Sequence, residues 1–364
     1  MIPDRSRLLI EACLSTPSRR GEAWRQWLQL TRFEDIDPGS FDLLPSVCHL
    51  NRDQRLPESD RLRGLFRHNW AVNQGRLSAA LPLLAALHEE GLDPVPIKGL
   101  ALAMTIYGSL GARRLSDIDV LVAGRQFPEA AEIARRHGFR PAAGFAWPRA
   151  SIKSWPFLGP HEADVDIHAR PLEEPWDGDT EAVMRAESGA VVISGIRFRV
   201  LSPATSLVVA ILHGQRFDGR GYHRWIVDVA LLIQSGLVDW DRVGDIARRL
   251  GLGVAVSSGL RLVCQFLPPG LVPPGLLEPS HLPVFQKLEH AFRERPPAGL
   301  LGALPNLFFL YTRERAAGLW TGSFSGFLRE VWEVAPGQGL APVLARKGLR
   351  RVATLMPRGL RLSR

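Results

Sequence analysis

Tyr107-Gly-Ser-Leu-Gly-Ala-Arg-Arg-Leu-Ser-Asp-Ile-Asp-Val-Leu-Val122 is the stretch on which the fold turns. Residues 118–122 are apolar at nearly every position, as in a strand covered on both faces. Residues two apart in a strand point the same way, so Asp117 and Asp119 project together while Ile118 and Val120 face the other side. Two carboxylates at the edge of a buried strand repel unless a cation neutralises them. Mg²⁺, a hard ion that prefers carboxylate and phosphate oxygens, suits that place. Just upstream, Gly108-Ser109 follows a helical segment and opens a tight loop. Its backbone N–H groups and the serine hydroxyl suit phosphate oxygens. A phosphate cradle, a seven-residue spacer and then D-x-D are the parts of a nucleotide-plus-metal site. The plainer alternative is a surface turn followed by strand-end charges.

Further along, Ala163-Asp-Val-Asp-Ile-His-Ala169 alternates in the same way, with Asp164, Asp166 and His168 on one face and Val165 and Ile167 on the other. A third carboxylate from a neighbouring strand could complete a two-metal site, with ions about 4 Å apart. Asp166 is chosen over Asp164, which sits nearer the start of the strand. His168 reads equally as a substrate contact and as a hydrogen-bonded structural histidine.

The rest of the chain frames these strands. Residues 60–90 place Leu62, Leu65, Phe66, Trp70, Val72, Leu77, Leu81 and Leu84 at helical spacing. A short strand at 95–97 leads into a helix at about 99–107, and residues 126–137 form another helix, with Pro128 in its first turn. Strand and turn are expected over 139–157, and a further strand over 191–200 with Gly195 in its turn. Ser202-Pro203 marks the start of helices at about 203–217, 222–235 and 240–265, with more helix from 282 to 335. The expected fold class is α/β (α+β): a small mixed-sheet core flanked by N-terminal and C-terminal helical regions. The expected organisation is an N-terminal helical region at 1–91, the α/β core at 92–201, a C-terminal helical domain at 202–340 and a basic tail at 341–364.

Composition narrows the class. The 364 residues are 46% hydrophobic and 23% charged, which excludes wholesale disorder. The longest apolar stretch, residues 79–87, is far short of the roughly 20 residues that span a bilayer. No secretory signal is expected at the start. Cys13, Cys48 and Cys264 are scattered, which argues against a disulfide framework and fits a reducing, cytoplasmic setting. The net charge of +8 is concentrated in the tail, where seven basic residues and no acid follow position 340. Nucleic acid is therefore not an expected partner, since a nucleic-acid enzyme spreads positive charge over its body. The tail offers at most a weak contact with an anionic membrane surface.

The order and spacing of four motifs resemble the nucleotidyltransferase superfamily of DNA polymerase β type, and within it the uncharacterised bacterial nucleotidyltransferases. The motifs are Ile97-Lys98-Gly99; Tyr107 with Arg113 four residues before Asp117; Val165-Asp166-Ile167-His168; and Arg224-Trp225-Ile226-Val227-Asp228. The resemblance covers about residues 60–235. It implies that Asp117 and Asp119 bind Mg²⁺ ions, two in all, bridging to a triphosphate. Asp166 would ligate the second ion and activate an acceptor hydroxyl as general base. The reaction implied is attack of that hydroxyl on the α-phosphorus of an NTP, ATP above all, with pyrophosphate leaving. Lys98 and Arg113, with Gly108 and Ser109, would contact the nucleotide, and His168, Arg224 and Asp228 are candidate substrate contacts. Arg224 and Asp228 also stand at i and i+4, where they could simply pair. The acceptor is a small molecule, peptide or protein. Three other readings compete: a nucleotide-binding pseudoenzyme acting as a regulatory or scaffold protein, a glycosyltransferase using D-x-D, and a nucleic-acid binder acting through its tail.

Overall fold

The computed structural model describes residues 2–142, 153–160, 163–172, 174, 178–186, 189–215, 223–278, 283–294, 300–332, 334, 337–340 and 342. Most of the 139–157 segment, residues 216–222 and every basic residue of the tail lie outside these. The chain divides into two units, Met1–His281 and Leu282–Arg364.

The first unit opens with four helices: α1 (Asp4–Leu14), α2 (Pro17–Leu30), α3 (Pro38–Leu50) and the long α4 (Ser59–Glu89). Along α4 one face buries Asn69, Asn73, Leu77, Ala80, Leu84 and Leu87, three or four residues apart, with Leu62 two turns earlier. Trp70, expected on that face, is exposed, and two asparagines hold the middle of the stripe. Gly91, at φ +79°, ends the helix. The Leu92 N–H donates to the Leu87 carbonyl and the Gly91 N–H to that of His88, both at 3.0 Å, which takes up two carbonyls of the last turn.

The sheet elements follow: β1 (Val95–Pro96), α5 (Lys98–Thr105), β2 (Ile118–Leu121), α6 (Phe127–Arg136), β3 (Arg140–Pro141), β4 (Ser154–Leu158) and β5 (Asp164–His168). The five strands run in the order β1-β2-β5-β4-β3. The central pair, β2 and β5, is parallel and the other pairs are antiparallel. This is the mixed sheet with helical flanks that the sequence leads one to expect. After α7 (Gly178–Ala186), β6 (Gly189–Ile193) and β7 (Ile196–Val200) form a separate hairpin. Its two turn residues, Ser194 and Gly195, both have positive φ, the turn type whose twist matches that of two paired strands.

Helices α8 (Pro203–Gly214), α9 (Arg224–Gln234), α10 (Trp240–Arg249), α11 (Gly253–Cys264) and α12 (Pro274–Leu277) complete the unit. Ser202 caps α8 by accepting from the Thr205 N–H, as its position before Pro203 foretells. The single helix expected at 240–265 is two helices, because Gly251 takes φ +60° and turns the chain between them.

Two hydrophobic clusters form. Residues from α1, α2, α3, α8, α9, α10 and α11 share one. The second lies on the sheet, where Ile118, Val120 and Val122 meet Val165, Ile167 and the apolar face of α6. Leu121, on the opposite face of β2, joins the helical cluster. Asp119 alternates with Ile118 and Val120, so it shares the face of Leu121.

The second unit contains α13 (Val284–Glu294), α14 (Leu300–Ala316) and α15 (Phe324–Val331). Rings of Phe285, Phe309, Tyr311, Trp320, Phe324 and Phe327 pack in it, mostly edge-on or tilted. Arg313 donates from two nitrogens to the buried Glu289. No helix among the described residues is long and apolar enough to cross a membrane.

Candidate functional site

Register makes the acid cluster. Parallel pairing sets Asp119 directly opposite Asp166, and Leu121 opposite His168. Asp119, Asp166 and His168 therefore share the sheet face turned away from Ile118, Val120, Val165 and Ile167. Asp119 is buried and Asp166 half-buried. Asp166 accepts from the Ser154 hydroxyl at 3.2 Å through Oδ2, while its Oδ1 is buried with no partner among the described residues. His168 Nε2 lies 2.8 Å from Asp119 Oδ1 and 3.1 Å from Asp166 Oδ2.

Lys98 begins α5 in the left-handed backbone region, φ +50°, which costs a side-chain-bearing residue energy and is held by its surroundings. Its ammonium donates to Asp119 Oδ1 and lies 3.2 Å from His168 Nε2. Burial works against the charged form of Asp119, but Lys98 and His168 outweigh it and hold the carboxyl well below the usual carboxylate range. Asp117 behaves oppositely. It is half-buried just before β2 and accepts from the Ser116 hydroxyl at 2.8 Å. Burial first, and then the charge of Asp119, push it up. Neighbouring carboxyls moved apart in this way are common at reactive centres.

A second group braces the first. Arg113 donates from Nε to Asp228 Oδ1 and from Nη2 to Asp228 Oδ2, both at 2.9 Å, and Tyr107 Oη donates to Asp228 Oδ1 at 2.9 Å. All three are buried. Burial opposes the guanidinium charge, and Asp228 more than offsets it. An added Cβ on Gly99 would meet Arg113 Nη1 at 2.7 Å and Leu115 Cδ2 at 2.9 Å, so Gly99 lets Arg113 lie against the start of α5. Arg113 and Asp228 face each other, so Asp228, expected as a substrate contact, is held in a buried pair. One expectation is corrected: Arg224 does not pair with Asp228. It lies 3.3 Å from Asp42, which also accepts from Arg114 at 2.9 Å.

The loop between α5 and β2 is fixed from outside. Asn73 Nδ2 donates to the carbonyls of Leu110 and Arg113 at 2.6 and 2.8 Å, and its Oδ1 accepts from the Leu115 N–H at 3.2 Å. Asn69 donates to Gly111, Ser46 to Ala112 and Arg76 to Leu115. Gly108 takes φ +64°, and Ser109 Oγ accepts from the Gly111 N–H at 3.2 Å, inside the loop. Sequence reading missed Asn69, Asn73, Asp42, Ser46 and Ser154. The asparagines left a signal, two amides four residues apart on the apolar stripe of a long helix.

Asp119, Asp166 and His168 each offer one ligand atom, all within 4.8 Å of one another. Asp166 Oδ1 has no partner among the described residues, and two carboxylates and an imidazole suit a divalent cation. Asp117 is not one of these three, although it feels the charges of Asp119 and Asp166.

Comparison with known proteins gives three findings. A family described as uncharacterised nucleotidyltransferase matches residues 21–268. A solved structure, an antigenic nucleotidyltransferase-like protein from Paracoccidioides brasiliensis, is similar at 15% identity and a TM-score of 0.32, over 51% of this chain and 92% of that one. No curated protein matches.

Proposed function

The chain belongs to the uncharacterised nucleotidyltransferase family, and from that premise we propose that it moves a nucleoside monophosphate, AMP from ATP, onto a hydroxyl of a small-molecule, peptide or protein acceptor. The observation that carries this reading is the pairing of Asp119 with Asp166 across two parallel strands, with Asp166 Oδ1 buried and without a partner among the described residues.

Asp119 and Asp166, with Asp117 beside them, would hold the divalent cation, Mg²⁺ in the family resemblance, which polarises phosphoryl oxygens and offsets their charge. Asp166 Oδ1 accepts the proton of the acceptor hydroxyl. That oxygen then bonds to the α-phosphorus, the bond from the α-phosphorus to the bridging oxygen breaks, and the electron pair leaves with pyrophosphate. Lys98 turns its ammonium toward the departing phosphates, and the Gly108 backbone N–H and the Ser109 hydroxyl contact them; the Ser109 N–H is already taken up by the Ala103 carbonyl at 3.0 Å. Arg113 acts at one remove, by fixing the start of α5 against β2. Arg224 and Asp228 hold that frame.

The test is transfer of label from α-³²P-NTPs, each of the four in turn, with Mg²⁺ and a cell extract as acceptor source. The wild type is expected to label a product, best with ATP, and the Asp117→Asn/Asp119→Asn variant is expected to label none. Equal labelling by both would sink the proposal. One observation favours a second reading. Lys98 already neutralises Asp119 without a metal, as a nucleotide-binding pseudoenzyme could use it. ATP binding with no label moved in any extract would favour that role.

A further inference from the structure

His168 is wholly buried, and its two ring nitrogens face different chemistry. Nδ1 lies 3.0 Å from the carbonyl oxygen of Arg170. A carbonyl only accepts, so Nδ1 carries a hydrogen and donates. In the neutral ring this leaves a lone pair on Nε2, which faces the Lys98 ammonium at 3.2 Å together with Asp119 Oδ1 and Asp166 Oδ2. Lone pair against anionic oxygen is repulsive unless positive charge lies among the three atoms.

Lys98 supplies one such charge, from the side of Asp119. It does not complete the site. Asp166 Oδ1 still has no partner among the described residues, and Asp117, Asp119 and Asp166 outnumber Lys98 by two charges. A divalent cation cancels that excess. A histidine whose other N–H is tied to a backbone carbonyl is also the arrangement in which metal-bound imidazoles are found.

We infer that His168 Nε2 is itself a metal ligand. Asp119, Asp166 and His168 then form a mixed oxygen–nitrogen site, which selects a divalent transition ion of the Co²⁺ and Zn²⁺ class over Mg²⁺. Imidazole suits those ions, whereas Mg²⁺ is usually held by carboxylate, phosphate and water oxygens. The inference rests on the nucleotidyltransferase reading for the purpose of the site, and its test separates the two. The rival arrangement is an imidazolium, with Nε2 donating to the two carboxylates and taking no part in metal binding.

The experiment uses the full chain with metal alone, without nucleotide. Mn²⁺-loaded wild-type protein is examined by electron spin-echo spectroscopy for coupling to a ring nitrogen, and Co²⁺ and Mg²⁺ affinities are measured by calorimetry. The expected result is nitrogen coupling, with Co²⁺ bound at least about tenfold more tightly than Mg²⁺. His168→Gln is expected to bring that ratio close to one, and His168→Glu to favour Mg²⁺. Circular dichroism shows which variants are folded. No nitrogen coupling in the wild type would overturn the inference even if neither variant folds, as would an unchanged ratio in folded His168→Gln. Label transfer without nitrogen coupling leaves the reaction standing and removes the ligand. Nitrogen coupling without label transfer does the reverse.

Discussion

A methyl group at position 99 would press on Arg113 Nη1 and Leu115 Cδ2, so the residue after Lys98 stays glycine as long as Asp228 keeps Arg113 in place. The strength of that hold is measurable. Arg113→Met leaves the Asp228 carboxylate buried without its cation, and urea denaturation is expected to show a loss of about 3–5 kcal/mol. Adding Asp228→Leu removes the stranded charge and is expected to recover a large part of that loss. Additive losses from the two substitutions would show that the groups act independently. At this scale the sequence exposed half of the site. Two-residue alternation put Asp119, Asp166 and His168 on their faces without any knowledge of the fold. The Arg113–Asp228 pair joins residues 115 apart, for which no local pattern exists. The four-residue spacing of Arg224 and Asp228 pointed to the wrong partner.

Helix α3 starts with an Asp37 side chain that accepts from the Ser40 N–H at 2.9 Å and the Ser40 hydroxyl at 2.6 Å. Burial, the largest single influence, raises its carboxyl, but the Ser40 hydroxyl and the backbone N–H groups of Ser40, Gly39 and Asp37 together outweigh it and hold the group below its ordinary value. A carboxyl lower in the folded than in the unfolded chain stabilises above the unfolded value, and the benefit fades as pH falls through the folded one. Asp37→Ala is expected to cost about 0.5–2 kcal/mol at neutral pH. The gap from wild type should narrow below about pH 4, and a gap constant down to pH 2.5 would contradict a charged cap. Caps and stops such as Asp37, Ser202-Pro203 and Gly91 are local and therefore readable. The long apolar period of α4 was readable as well. Its buried face was misjudged at Trp70, because Asn69 and Asn73 are there to bind the loop below and not to be covered by oil. Helices α10 and α11 ran together in the reading because both are amphipathic and only a single left-handed glycine parts them.

Across the whole first unit, chain segments more than 200 residues apart form one helical cluster, with Leu9 and Trp24 in the same core as Leu207 and Ile226. Periodicity marks each helix as amphipathic without naming its partner, so this assembly was not legible. The acid site lies on the sheet face toward that cluster, and a ligand there should stabilise the folded chain by mass action. A divalent ion at a hundred times its dissociation constant adds about 2.7 kcal/mol. For a chain of this size that corresponds to a rise of several degrees in the midpoint of thermal unfolding relative to EDTA. Asp119→Asn/Asp166→Asn is expected to remove the rise, and a wild-type midpoint indifferent to millimolar metal would count against any cation at the site.

The loop between α5 and β2 is riveted on both sides. Tyr107 and Ala112 enter the helical core, Leu110 and Leu115 the sheet core, and the carbonyls of Leu110, Gly111, Ala112, Arg113 and Leu115 are each taken by a side chain from α3 or α4. For anyone adding a reporter to this protein, the stretch that looks on paper like the natural glycine-rich place to cut is closed. In a library of single-codon insertions it would stand as a blank, while the Ser194-Gly195 turn, with nothing within 4 Å of where a Gly195 side chain would stand, is where a foreign peptide can be carried.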